Sequence, residues 1–146
     1  MLEIQDSKVH FYFLKKVPSL KNRTQLKLFL KKLSKLYKKE IDSLNFIFCS
    51  DEYLLEINRN HLQHDFYTDI ITFDLSESKL IRGEIYISTD RVKDNAKTFH
   101  TSFKEEIHRV IFHGVLHLCG FKDKSKKEAE SMRSEEQKAL NLYFNN

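Results

Sequence analysis

The order of elements read along the chain, four short strands among about five helices, is compatible with an α+β domain. Three observations lead there. Apolar residues alternate with a period of two, or run as short β-branched and aromatic stretches, in four places. Apolar steps of three and four, or helix-capping residues, mark about five others. The last two strand segments are joined by so short a link that they must be antiparallel neighbours, because a parallel pair needs a long crossover. At 146 residues the chain is near the common size of one domain, and three Gly and one Pro leave no composition for a flexible linker. A single domain over residues 1–146 is expected.

The first strand is His10-Phe11-Tyr12-Phe13-Leu14, short and aromatic, bounded by Lys15-Lys16 and Pro18. Leu26, Phe29, Leu30, Leu33, Leu36 and Tyr37 then share one helical stripe, with Asn22 or Thr24 as N-cap and a lysine-rich opposite face. Leu44, Phe46 and Phe48 alternate with Asn45 and Ile47 as the second strand, and Ser50-Asp51-Glu52 opens a short helix to about Arg59. Residues 70–75 and 84–88 are β-branched and aromatic strands, separated by the polar stretch around Ser76 to Ser78. Thr89 or Asp90 caps the next helix, which runs to about Phe99. Ser102 and Glu105 have capping-box spacing in front of Ile107, Val110, Ile111, Leu116 and Leu118, the central helix. Ser125 and Glu128 repeat that spacing, and Ala129, Met132, Leu140 and Tyr143 form the buried side of the last helix.

Composition narrows the function classes. A net charge of +4 and a pI near 9.0 favour polyanionic partners. Lys27, Lys31 and Lys35, with Lys21, Arg23, Lys32, Lys38 and Lys39, crowd the first helix and its ends. That face is either a solvated surface or a track for an RNA backbone. No apolar run approaches the roughly 20 residues of a membrane helix, and residues 1–6 lack the basic-then-apolar order of a signal peptide. A cytoplasmic protein without a membrane partner is therefore expected. Cys49 and Cys119 belong to no paired spacing and read as small buried hydrophobes.

The chemistry concentrates in His113-Gly114-Val115-Leu116-His117-Leu118-Cys119-Gly120-Phe121-Lys122-Asp123. Two histidines four apart on a helix project from one face about 6 Å apart, which suits two imidazoles sharing one metal ion. Gly120 can take the positive-φ conformation that ends the helix and turns the chain, so that Asp123 offers a third ligand. Three protein ligands leave a position for water, the mark of a catalytic rather than a structural site. Metzincin proteases share this frame but place a glutamate directly after the first histidine as general base, and here that position is Gly114. His108, five residues before His113, falls on another face of the helix and reads as a surface residue, and His61 and His64 are too weakly spaced to count as ligands.

The His113-to-Phe121 run followed by a third ligand resembles the signature of the YbeY family of rRNA maturation endoribonucleases. Asp65-Phe66-Tyr67-Thr68-Asp69-Ile70-Ile71-Thr72-Phe73 resembles that family's Asp-x-Pro-Thr-Asp-Val-Leu-Ser-Phe, and Gly83-Glu84-Ile85-Tyr86-Ile87-Ser88 its Gly-Asp-Ile-x-Ile-Ser strand. The resemblance covers roughly residues 54–140. It implies an α+β fold with helices packed on a small mixed four-stranded sheet and a central, buried metal-bearing helix. It also implies a single-strand-specific endoribonuclease acting at the 16S rRNA 3′ end and in ribosome quality control, with ribosomal particles as partners. A monomer is expected.

Two departures from the family pattern bear on the site. The family's third histidine falls at Asp123, a harder ligand that shifts preference toward Mn2+ or Mg2+, with one Zn2+ per chain still the expected cofactor. The family's arginine falls at Leu62 and its proline at Tyr67, which leaves Arg59, one turn earlier, as the candidate phosphate contact. Asp69, Asp74 and His64 are the candidate general bases, although Asp69 or Thr68 equally suits a turn cap. The competing readings are a metzincin-like metalloprotease and a non-catalytic ribosome-associated factor with a structural metal.

Overall fold

The structure is a computed structural model that describes residues 8–145; residues 1–6, where no signal peptide was expected, lie outside that range. Its elements in order are β1 (Val9–Phe13), α1 (Arg23–Leu36), β2 (Glu40–Cys49), α2 (Asp51–Leu62), β3 (Ile70–Asp74), β4 (Leu80–Ser88), α3 (Thr89–Thr98), α4 (Phe103–Leu118) and α5 (Lys126–Phe144). The four strands form one mixed sheet in the order β1-β2-β4-β3. β1 and β4 both run parallel to β2, and β3 closes one edge antiparallel to β4, as its short connection requires. The expected α+β class and mixed sheet are what the chain forms.

Period-two alternation along the strands gives the sheet two covered faces. Leu44, Phe46, Phe48, Ile81, Ile85 and Ile87 turn to one side and build the main core with Leu26, Leu30 and Leu33 of α1 and Ile107, Val110, Ile111 and Val115 of α4. On the other side Ile71, Phe73 and Tyr86 pack with Cys49 beneath Leu54 and Ile57 of α2. α4 runs through the main core and packs against α1, α3, α5, β3 and β4, which makes it the central helix. Gly114 permits the close approach to the sheet: a Cβ there would lie 2.8 Å from Ile85 Cδ1 and 3.1 Å from Ile70 Cδ1.

Several local expectations change. β2 and β4 begin earlier than expected, at Glu40 and Leu80, because ladder pairing between them extends past a register shift at Ile41/Ser43 that breaks the period of two. α3 is capped by Ser88, whose hydroxyl accepts from Arg91 N–H at 3.1 Å, rather than by Thr89 or Asp90. Asn22 precedes α1 in a left-handed conformation and makes no side-chain cap. Ser125 and Glu128 complete a reciprocal capping box on α5, whereas Ser102 accepts from Glu105 N–H as a one-way cap. Leu36, placed on the apolar stripe of α1, is exposed because the helix ends there, and Ala129 is exposed at the start of α5. His108 is a larger correction. It is 2% exposed, not a surface residue, because α5 lays Tyr143 and Phe144 over it.

Candidate metal centre

The end of α4 is built to turn. Phe121 N–H donates to Leu116 O and Gly120 N–H to His117 O, both at 3.0 Å, the paired bonds of a Schellman termination, with Gly120 at a φ of 109°. The chain doubles back over the last turn, and Asp123 comes to face both histidines. Its Oδ2 lies 3.3 Å from His113 Nε2 and 3.3 Å from His117 Nε2. The three donor atoms lie within 4.8 Å of one another. Ligands about 2.0–2.1 Å from a tetrahedral ion sit roughly 3.3 Å apart, so the two Asp123–imidazole spacings match those of an ion such as zinc.

Both imidazoles are oriented from behind. His113 Nδ1 is 2.5 Å from Glu136 Oε2, and His117 Nδ1 is 2.9 Å from Phe121 O. A donor hydrogen on each Nδ1 leaves both Nε2 lone pairs for a cation, and outer-shell partners of this kind fix tautomer and ring orientation. The side chains of His113 and His117 are 18% and 28% exposed, partly desolvated yet reachable. Two imidazoles and a carboxylate with polar support behind them form a donor set that fits a divalent cation.

Glu136 was not singled out in the sequence, although a carboxylate between Met132 and Leu140 interrupts the apolar stripe of α5. Its side chain is 3% exposed and receives Arg109 Nη1 at 2.7 Å, while Arg109 also pairs with buried Glu106. Contacts with the His113 imidazole and the Arg109 guanidinium hold the Glu136 carboxyl below its ordinary value, overcoming the opposing effect of burial. The result is a chain from Glu106 through Arg109 and Glu136 to His113, carried by α4 and α5.

These groups open on a cleft of about 830 Å3, lined on the far wall by Thr68, Asp69, Thr72 and Asp74. Asp69 is held by Asn95 Nδ2 at 3.3 Å and through its carbonyl by Ser88 N–H at 2.9 Å. Burial raises its carboxyl above the usual range, partly offset by His113 and Arg109. Of the three candidate bases, Asp69 and Asp74 line the cleft and His64 does not; it stacks on Phe66, with ring centroids 5.1 Å apart. Arg59 also stays outside the lining, where Asp65 Oδ1 at 2.6 Å and Glu56 Oε1 at 3.2 Å engage its guanidinium. Lys27, Lys31 and Lys35 ride on α1, away from the cleft lining. Instead the cations at the cleft are Arg109, Lys122 and Arg133, two of them on helices where the basic run of α1 gave no hint.

An α+β domain whose central helix and its terminal turn present two imidazoles and a carboxylate to an open cleft defines a class of protein with a candidate three-ligand metal centre of the catalytic kind. The family model described as Endoribonuclease YbeY matches residues 12–143. The chain belongs to that family. It is 55% identical over 124 residues to Endoribonuclease YbeY of Cytophaga hutchinsonii, covering 84% of this chain and 87% of that one. It is 52% identical over 111 residues to the protein of the same name from Parabacteroides distasonis, covering 76% and 78%. The solution structure of TM1509 from Thermotoga maritima superposes with a TM-score of 0.64 at 27% identity, over 92% of this chain and 89% of that one.

Proposed function

We propose that the chain is a metal-dependent endoribonuclease that cuts single-stranded rRNA during maturation of the 16S 3′ end and in ribosome quality control, with zinc as its metal. The observation that carries this reading is the convergence of His113 Nε2, His117 Nε2 and Asp123 Oδ2 at the cleft of a chain whose relatives are named endoribonucleases. Two histidines and one carboxylate are also the ligand pattern of well-known catalytic zinc sites, which favours zinc over Mn2+ or Mg2+. No described helix is long and apolar enough to cross a membrane; the reading further takes the chain as a cytoplasmic monomer that meets ribosomal particles.

When bound, the ion polarises a phosphoryl oxygen and lowers the pKa of its water toward about 7. His113, His117 and Asp123 would hold it, and Glu136 keeps the His113 ring aligned. Asp69 would accept the proton of the attacking oxygen, and the burial that raises its pKa makes it a stronger base than an ordinary carboxylate. Lys27, Lys31 and Lys35 follow the RNA backbone beyond the cleft. A metalloprotease lacks support at position 114, where even a methyl group meets Ile85 and Ile70 and a glutamate has no room.

The test is cleavage of an end-labelled RNA spanning the 16S precursor 3′ end by protein stripped with chelator and reloaded with Zn2+, Mn2+ or Mg2+ in turn. Cleavage restored first by stoichiometric Zn2+ supports the whole reading. Restoration by Mn2+ or Mg2+ alone overturns the zinc assignment, and no cleavage with any metal, even with ribosomal particles added, overturns the nuclease.

A further inference from the structure

We infer that Arg133 is the phosphate-binding cation of this cleft, taking the role that neither Leu62 nor Arg59 can fill. The inference rests on the RNA-cleaving reading above. A phosphodiester held against the candidate metal centre needs a positive group that is reachable from the cleft and not already neutralised. Arg109 lines the cleft but fails the second requirement, because its guanidinium is shared between Glu106 and Glu136. Arg59 is committed to Asp65 and Glu56 outside the cleft lining.

Arg133 meets both requirements. It lies one turn before Glu136 on α5 and lines the same cleft as His113 and His117. Its side chain is 57% exposed, and its ion contact among the described residues is long, Nη1 to Glu136 Oε1 at 3.8 Å, to a carboxylate that Arg109 already neutralises. The guanidinium is not loose, because its Cζ lies 5.5 Å from the centroid of the Phe99 ring at the end of α3. An aromatic ring beneath a planar guanidinium pre-orients its N–H fork and leaves the donors open to a bidentate anion such as a phosphate. Phe99 is itself 51% exposed, so the ring serves as a platform rather than as core. Lys122, exposed beside Asp123, adds a flexible point charge at the opposite end of the donor set.

The experiment is binding of a fluorescent single-stranded RNA to chelator-treated protein across a salt series, so that no cleavage intervenes. Wild type is compared with Arg133→Ala, Arg133→Lys, Phe99→Ala and, as a control on the outer face of α3, Lys93→Ala. Zinc content after reloading and RNA cleavage are measured in parallel. Loss of one phosphate contact predicts that Arg133→Ala binds about tenfold more weakly, with a log–log salt slope shallower by about 0.7. Arg133→Lys keeps the slope but loses part of the affinity, Phe99→Ala falls between, and Lys93→Ala matches wild type. All variants retain one zinc. An unchanged slope and affinity in Arg133→Ala overturns the inference, as does loss of zinc, which would mean that Arg133 acts through Glu136. A shallower slope in Arg133→Ala, together with a metallated wild type that cuts no RNA, would sink the nuclease reading and leave the phosphate contact standing.

Discussion

His108 and His113 lie five residues apart on α4, and both are withdrawn from solvent, yet their surroundings are opposite. His108 sits among Phe112, Tyr143 and Phe144 with Nδ1 2.7 Å from Lys104 O, and among the described residues no carboxylate bonds to its ring. Burial pushes its pKa below 6.5, so it behaves as a neutral aromatic residue. His113 is gripped by Glu136 on one nitrogen and turned by it toward Asp123 on the other. Neither burial nor the bond behind the ring marks a metal-ligating histidine, since His117 rests on a backbone carbonyl just as His108 does; what His113 and His117 share is an Nε2 that faces the Asp123 carboxylate at 3.3 Å.

The largest effect separating the two comes from removing a ligand. Metal centres supply several kcal/mol of transition-state stabilisation, so His117→Ala should lower RNA cleavage on the order of a thousandfold. Next is the group behind the ring. Glu136→Gln keeps the size and can still accept from Arg109 but loses the charge that holds His113, and should weaken metal affinity about 10–100-fold in a competition titration. Unchanged affinity would show that Glu136 is merely a structural partner of Arg109.

Between the two histidines of the motif, Gly114→Ala tests how closely α4 must approach the sheet. Overpacking against Ile85 and Ile70 costs about 1–3 kcal/mol, offset by about 1 kcal/mol of helix propensity, so the melting temperature should fall by a few degrees. A rise would mean that the two isoleucine side chains move aside freely.

The smallest effect is on pH dependence. His108 is harder to protonate folded than unfolded, so the unfolded chain takes up the proton first as pH drops below about 6.5 and stability falls there. The lowered pKa of Glu136 also stabilises the fold at higher pH, but that contribution is lost further down, as pH falls below its ordinary 4.5. His108→Phe should flatten the upper window and leave the lower one, as read by denaturant unfolding at stepped pH.

What the sequence made legible follows from how far each signal reaches. The caps at Ser50, Ser102 and Ser125 and the Gly120 turn are written within a few residues, and each forms, Ser102 with one of the two bonds of its capping box. So does the grouping of His113, His117 and Asp123, which one helical turn and one reversal bring together. The misreadings depended on contacts between distant elements. His108 is buried by Tyr143 and Phe144 at the far end of α5, and Arg109 meets Glu136 only because α4 and α5 pack. Arg59 was within reach of the motif by spacing, but Asp65 in the following loop claims it.

The most direct test of the central claim is metal content per chain and cleavage of the 16S precursor RNA, measured together on wild type, His117→Ala and His108→Phe. The account predicts that His117→Ala loses both the bound metal and the cleavage, while His108→Phe keeps one metal per chain and cuts at the wild-type rate. Full cleavage by a verified metal-free His117→Ala protein, or equal loss in both variants, would contradict it.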